Sequence, residues 1–86
     1  MASEEKFLRG AKRALDAAEP HLEKGDLLMG KMKLDEAIEE FRAAARVEPN
    51  NSKAHQRLGA AYAAKDDYEA AITEEQTAAR LDPKYF

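Results

Sequence analysis

The 86-residue sequence contains no cysteine and no tryptophan, and it has only three prolines and four glycines. The lack of cysteine excludes disulfides and thiol chemistry and suits a reducing compartment, so we expect a cytoplasmic protein. Aromatic residues make up 7% of the chain, whereas alanine accounts for 18 of the 86 residues. Because alanine is the strongest helix former and helix-breaking residues are scarce, the composition predicts one small all-helical domain.

The sequence also lacks an excess of positive charge and a long apolar run. The net charge is −3, with residues of both signs spread along the chain. No basic stripe is present that would release counterions from a polynucleotide, so we expect no nucleic-acid partner. No apolar run approaches the roughly 20 residues of a membrane span, and residues 1–5 lack the basic start of a secretion signal. We therefore expect no membrane partner either.

The sequence repeats itself at an interval of 34 residues. A line that starts at Ala18 and a line that starts at Ser52 share ten identities. The identical pairs are His21/His55, Gly25/Gly59, Lys31/Lys65, Ala37/Ala71, Ile38/Ile72, Glu40/Glu74, Ala44/Ala78, Ala45/Ala79, Arg46/Arg80 and Pro49/Pro83. A period in this range is typical of stacked-repeat proteins, in which each unit is too small to bury its own apolar face.

Each repeat divides into two helical stretches. In the second repeat, Asn51 or Ser52 is expected to cap a helix that ends near Ala64. A further helix follows the turn at residues 66–67 and stops before Pro83, since the residue that precedes a proline disfavours the helical conformation. This repeat therefore predicts a helical hairpin.

The first repeat predicts the same arrangement. One helix opens near Pro20 and ends at a turn over residues 30–33, and another runs from Leu34 to Val47. Residues 3–16 carry an apolar stripe in phase with the repeat, so they predict a further helix that is the second half of a preceding repeat. We expect five antiparallel helices in all.

These repeat positions resemble the tetratricopeptide repeat, whose pattern is Trp-x2-Leu-Gly-x2-Tyr, then Ala-x3-Phe, then Pro. The second repeat reads His55-x2-Leu58-Gly59-x2-Tyr62, Ala71-x3-Glu75 and Pro83, and the first reads His21-x2-Lys24-Gly25-x2-Leu28, Ala37-x3-Phe41 and Pro49. The resemblance implies an α-solenoid of antiparallel helix hairpins. It divides the chain into an N-terminal helix within residues 1–17 that packs on the first repeat, one repeat over 18–51 and another over 52–86 with a short C-terminal tail.

The resemblance also implies structural roles for several side chains. In this family, small residues lie where the two helices of a hairpin come closest, and here these are Gly25, Gly59, Ala37 and Ala71. Phe41 and Tyr62 are expected to fill the space between hairpins. Glu75 stands where the family has an aromatic residue, and we expect its charge to keep the uncovered end of the stack soluble.

In this family the first helix of each repeat lines a concave groove that holds a peptide of a partner protein. The residues at those positions are Glu19, Leu22, Glu23, Asp26 and Met29 in the first repeat, and Lys53, Gln56, Arg57, Ala60 and Ala63 in the second. The resemblance therefore implies a non-enzymatic adaptor or scaffold that uses no cofactor and binds a protein or peptide.

Lys53 and Arg57 form the most specific element of this groove. They resemble the pair with which chaperone-binding members of the family grip the C-terminal carboxylates of heat-shock chaperones. One helical turn separates the two bases, so both point at the same anion, and the guanidinium can bind it through two N–H groups. The alternative is that these bases pair with Glu19 and Glu23 across the groove, which would leave a groove of mixed charge.

The sequence offers no candidate for catalysis or metal binding. His21 and His55 are the only histidines, and because their spacing matches no zinc motif, we expect packing side chains instead of metal ligands. The 17 carboxylates fall largely in adjacent pairs on predicted helix surfaces and turns, which is typical of solvated faces. No glycine-rich phosphate loop or nucleophile arrangement is present, so the sequence predicts a protein that is not an enzyme.

Self-association is the alternative function. Two and a half repeats fall below the roughly three that a stable stack usually needs. The last helix would leave an open end at Ile72, Ala79 and Leu81, with Tyr85 and Phe86 beside it. Such an uncovered apolar end is a candidate isologous interface of a homo-oligomer.

Overall fold

The structure, a computed structural model, describes residues 17–83, and these residues form four α-helices and no strand. The helices are α1 (Glu19–Gly30), α2 (Leu34–Val47), α3 (Ser52–Ala64) and α4 (Tyr68–Leu81). The predicted all-helical repeat fold is confirmed, and the four helices follow the stretches that the 34-residue period indicates. The helix expected over residues 3–16 and the aromatic pair Tyr85 and Phe86 lie outside the described residues.

The four helices pack in chain order, α1 against α2, α2 against α3 and α3 against α4. Turns of three residues, 31–33 and 65–67, join the helices within each repeat. Because so short a connection reverses the chain, each repeat is an antiparallel hairpin. The two hairpins lie side by side, and α2 and α3 form the joint between them.

The two turns within the repeats have the same backbone geometry. Met32 has a φ of 60°, and Asp66, which lies 34 residues later, has a φ of 64°. In both turns the amide after this left-handed residue donates to a carbonyl of the preceding helix at 2.9 Å, from Lys33 to Leu28 and from Asp67 to Tyr62. This is the Schellman arrangement, which satisfies carbonyls at a helix end. Both turns place a side chain in a region that residues other than glycine rarely adopt.

Side-chain caps fix the start of each helix in the second repeat. The side-chain oxygen of Asn51 accepts a hydrogen bond from the Ala54 amide at 3.3 Å, so Asn51 is the cap of α3. Asp67 caps α4 in the same way. At the start of the first repeat, the Ala18 amide donates to the Glu48 carboxylate at 2.8 Å. This bond ties the beginning of the first repeat to the loop between the repeats.

The core lies in the first hairpin and at its joint with the second. Phe41, 1% exposed, is the largest fully buried side chain, and no buried side chain among residues 17–83 is polar or charged. Because many members of the core are alanines, the helices approach closely around this one aromatic ring. The members of the cluster are Ala18, Leu22, Ala37, Ile38, Phe41, Ala44, Ala54, Leu58 and Ala61.

The glycines of the repeat pattern face the second helix of their own hairpin. A Cβ atom built on Gly25 would come within 2.2–2.8 Å of three ring atoms of Phe41. A Cβ atom built on Gly59 would instead come within 2.6–3.2 Å of the side chain of Glu75, which is exposed. The helices of the two hairpins therefore approach closely at the same position, against a buried ring in one repeat and an exposed carboxylate in the other.

The remaining positions of the repeat pattern hold the hairpins together or end them. Ala37, Ala71 and Leu58 are buried, and Tyr62 is partly buried against the core cluster. Pro49 and Pro83 are exposed, and each follows the last residue of a helix by two positions. A proline placed there prevents the helix from continuing.

Candidate functional site

The residues predicted to line the groove lie on α1 and α3, the first helices of the two repeats. Leu22 differs from the rest, because its side chain is 2% exposed and belongs to the core cluster. It contributes to packing, and a partner would not reach it without opening the core. The exposed or partly buried members are Glu19, Glu23, Asp26 and Met29 on α1, and Lys53, Gln56, Arg57, Ala60 and Ala63 on α3.

Two ion pairs bridge α1 and α3. The Arg57 Nε donates to the Asp26 Oδ1 at 2.7 Å, and the Lys53 Nζ lies 4.0 Å from the Glu19 Oε1. On each helix these residues lie four or seven positions apart, so they share one face. Both bases pair with acids of the first repeat, as the alternative interpretation of the sequence predicts, although Arg57 binds Asp26 instead of Glu23.

A third ion pair joins the two repeats away from the groove. The Lys65 Nζ, just after the end of α3, binds the carboxylate of Asp35 in the first turn of α2. In all three pairs the acid belongs to the first repeat and the base to the second. In these ion pairs between the repeats, the first repeat therefore supplies the negative charges and the second repeat the positive ones.

Lys53 and Arg57 are accessible to a further acceptor. Their side chains are 60% and 32% exposed, and each contacts one carboxylate within residues 17–83. Arg57 makes its described contact through Nε. A partly exposed guanidinium one helical turn from an ammonium has the chemistry to bind a further carboxylate.

Each histidine binds a glutamate on the second helix of its own repeat. The Nδ1 atom of His21 lies 2.9 Å from Glu40, and that of His55 lies 2.7 Å from Glu74. The Nε2 atom of His55 also lies 3.0 Å from the Pro49 carbonyl oxygen. Each ring nitrogen of His55 therefore lies within hydrogen-bond distance of an acceptor.

The sequence contains a signal for these histidine–glutamate pairs, which the sequence analysis did not predict. Histidine and glutamate are both among the ten identities, and 19 residues separate them in each repeat. Recognising the pair requires knowing that the first and second helices of a hairpin are antiparallel neighbours. Over residues 17–83, no three His, Cys, Asp or Glu side chains are grouped as metal ligands would be.

A shallow depression of about 520 Å³ lies on one face of α4, here called its outer face, and only residues of α4 line it. Tyr68 and Ile72, two of the most exposed large apolar side chains in the described residues, stand on it. This is the end of the stack at which the sequence predicts an uncovered surface. The residues that line the depression are Tyr68, Ala71, Ile72, Glu75, Gln76 and Ala79.

A second depression, of about 340 Å³, lies between α2, α3 and α4. Lys53 and Arg57 do not line it, so it is separate from the groove. Two arginines one helical turn apart, Arg42 and Arg46, stand at its edge. The lining residues are Arg42, Ala45, Arg46, His55, Leu58 and Glu74.

No helix within residues 17–83 has the length and apolar character to cross a membrane.

A comparison with protein families agrees with the repeat geometry, although no curated protein matches the chain. A family model described as tetratricopeptide repeat matches residues 22–86, which takes in most of α1 and all of the other three helices. With its 34-residue period and its paired helical hairpins, the chain belongs to the tetratricopeptide-repeat family.

Proposed function

We infer that this chain is a non-enzymatic adaptor or scaffold that binds a peptide segment of a partner protein between α1 and α3. Tetratricopeptide repeats generally mediate protein–protein interaction, which supports the class of function. Fold alone does not choose a ligand, so the choice rests on the side chains of the groove. A cytoplasmic location stays a prediction from the sequence.

The observation that carries this proposal is the position of Lys53 and Arg57. Both bases lie on the face of α3 that is turned to α1, one helical turn apart and accessible. A peptide that brings a carboxylate, from an acidic side chain or from its own C-terminus, would meet two positive charges there. A C-terminal tail of a chaperone is one member of that class.

Asp26 and Glu19 set the affinity of this site. Each now binds one of the two bases, so an incoming carboxylate must displace or share that contact. Exposed pairs of this kind are worth only about 0–1 kcal/mol, so exchange is energetically accessible. The acids therefore lower the affinity for anions in general and favour peptides that also make apolar contacts, for example with Met29.

Peptide display followed by affinity measurement tests the proposal. Peptides selected against the full chain are measured as free acids and as C-terminal amides, against the wild type and the Lys53→Ala, Arg57→Ala double variant. We expect the double variant to lose binding by at least about tenfold, since hydrogen bonds to charged groups contribute about 1.5–3 kcal/mol each. Binding that survives the double change would overturn the role of the two bases.

The chain offers a matched control for this experiment. The Arg42→Ala, Arg46→Ala double variant also removes two bases one turn apart, from the depression that lies outside the groove. We expect it to bind selected peptides as the wild type does. An equal loss in both double variants would mean that net charge, and not the groove, governs binding.

A third variant tests the competition by Asp26. Asp26→Asn removes the charge that faces Arg57 and keeps the size of the side chain. We expect tighter binding of peptides that end in a free carboxylate and little change for their amides. A loss of binding in this variant would show that the peptide recognises Asp26 itself.

Self-association through the outer face of α4 is a second candidate function. The exposed Tyr68 and Ile72 on this face favour it. Sedimentation of the full chain over a wide range of concentrations tests this candidate. A chain that stays monomeric at the highest concentration would exclude it and leave the groove proposal unaffected.

A further inference from the structure

At the joint between α2 and α3, the second helix of one repeat packs against the first helix of the next repeat. On the α2 side, Ile38 and Phe41 are buried, and on the α3 side Leu58 and Ala61 are buried. All four belong to one core cluster. The joint is therefore a template for any further contact between a second helix of one repeat and a first helix of the next.

The outer face of α4 carries the α2 half of this template, shifted by 34 residues. Ile72 corresponds to Ile38 and is 57% exposed, whereas Ile38 is 6% exposed. Glu75 corresponds to Phe41 and is exposed on the same face. This half lacks a first helix to cover it within the described residues.

The exposed face of α1 carries the other half of the template. Leu27 corresponds to the buried Ala61 and is 68% exposed, and Lys24 corresponds to the buried Leu58 and is also exposed. The face that α3 turns toward α2 is thus present on α1, where Lys24 and Leu27 are exposed. Within residues 17–83 the two halves of the joint lie at opposite ends of the helix stack. Stacking on this face of α1 requires that the helix expected over residues 3–16 leaves Lys24 and Leu27 uncovered.

We propose that two copies of this chain stack head to tail, with the exposed face of α1 of the second copy packed on the outer face of α4 of the first. This proposal deepens the second candidate function, because it names the surface that covers α4. It replaces the isologous contact expected from the sequence with a heterologous one, in which two different surfaces meet.

Charge complementarity at two positions supports this assignment. Phe41 and Leu58 belong to the buried cluster at the internal joint, and the residues at the equivalent positions of the two exposed faces are Glu75 and Lys24, which carry opposite charges. Where Asp35 binds Lys65 across the internal joint, the equivalent residues are Glu69 and Lys31. Both positions hold pairs of opposite charge, and such complementarity fixes the orientation of a weak contact.

The same two charges agree with the exposure of both faces within residues 17–83. A lysine and a glutamate at template positions that are otherwise apolar make each end more soluble on its own. A heterologous contact leaves one α1 face and one α4 face free at the ends of every assembly. The average mass should therefore rise progressively with concentration and not stop at a dimer.

Charge reversal in the full chain tests the proposal by sedimentation velocity. Lys24→Glu alone and Glu75→Lys alone each set like charges together, and each should weaken association by at least about tenfold. The double variant Lys24→Glu, Glu75→Lys restores opposite charges and should associate as the wild type does. Glu39→Lys, an exposed reversal on α2, is the control and should leave association unchanged.

Mixing the two single variants tests the geometry further. Every contact between unlike variants then pairs opposite charges at positions 24 and 75, whereas every contact between like variants pairs equal ones. The mixture should therefore associate as the wild type does, in chains that alternate the two variants, although each variant alone does not. A mixture that stays as monomeric as its two components would overturn the head-to-tail contact.

The single variants also separate this contact from its alternative. If Glu75→Lys changes association while Lys24→Glu does not, the head-to-tail contact is overturned and an isologous α4 contact takes its place. A monomeric wild type overturns both forms of self-association. The peptide measurements on Lys53 and Arg57 remain independent of either result.

Discussion

Ile38 and Ile72 occupy the same position in the two repeats, yet one is 6% exposed and the other 57%. Both follow a buried alanine by one residue, on the second helix of a hairpin of the same design. The difference is the neighbour, because α3 covers α2 and no described helix covers the outer face of α4. In a stacked-repeat protein, the place of a repeat in the stack therefore decides what its side chains contribute to stability.

The substitution of Glu75 for the phenylalanine of the first repeat agrees with that difference. Phe41 fills the core against Gly25, whereas Glu75 is exposed and lies over Gly59 with its carboxylate as the nearest group. The second repeat keeps the backbone design of the first and changes the chemistry of its outer face. The same substitution made at equivalent positions of the two repeats measures how much each position contributes to the free energy of unfolding.

The largest difference is expected for the two isoleucines themselves. Ile38→Ala should cost about 2–4 kcal/mol of the free energy of unfolding, since it removes a buried side chain from the core. Ile72→Ala should change it by no more than about 0.5 kcal/mol in the monomer. Urea unfolding at low protein concentration measures both. Similar losses for the two variants would mean that the outer face of α4 is covered in solution.

The next difference is expected at the two glycines, where the same change has opposite signs. Gly25→Ala pushes a methyl group into the buried ring of Phe41 and should destabilise the chain by about 1–3 kcal/mol. Gly59→Ala meets only the flexible end of Glu75, and because alanine favours helix, it should stabilise the chain by up to about 1 kcal/mol. Thermal unfolding of both variants provides the comparison. Destabilisation by both would show that Glu75 is held in place more firmly than its exposure indicates.

A smaller difference is expected between the histidines. His55 has an acceptor near each ring nitrogen and is 15% exposed, whereas His21 has one described acceptor and is 36% exposed. We expect His55→Ala to cost about 2 kcal/mol and His21→Ala about 1 kcal/mol, because the more buried ring loses more packing together with its hydrogen bonding. Chemical unfolding of both variants at one pH gives the two values. A larger loss for His21 would contradict this order.

The smallest difference is expected at the left-handed turn residues. Met32→Gly should stabilise the chain by about 0.5–1 kcal/mol, because glycine adopts a φ of 60° without strain and the exposed methionine loses little packing. Asp66→Gly should gain less, since aspartate tolerates this region and Asp66 accepts a hydrogen bond from the Tyr68 hydroxyl at 2.9 Å. Calorimetry resolves the two shifts. Equal gains would mean that the bond to Tyr68 contributes nothing.

The fold followed from the sequence because its signals are local and repeated. The cap at Asn51, the turn at residues 66–67 and the prolines after α2 and α4 each act over a few residues, and the 34-residue period repeats the helical pattern. A pattern of that kind needs no knowledge of distant contacts. The order in which helices pack then follows from the short connections between them.

The site was less accessible to sequence reasoning, because it depends on how neighbouring helices are rotated and offset. Leu22 occupies a groove position of the family pattern but turns into the core. Arg57 aligns with Glu23 in the repeat, yet its long side chain reaches one turn further along α1 to Asp26. The 34-residue alignment gives the equivalent residues of the two repeats. It does not give how far one packed helix is shifted along its neighbour.

The direction of charge across the joint has a consequence for how such a chain lengthens by gene duplication. If only the segment that encodes the second repeat were copied in tandem, the lysine equivalent to Lys53 would face Lys53 itself, and the two ammonium groups would repel. If both repeats were copied together, Glu19 of the new unit would face Lys53 of the old one and preserve the attraction seen within the chain. The charge pattern thus makes the pair of repeats, and not the single repeat, the natural unit of genetic expansion.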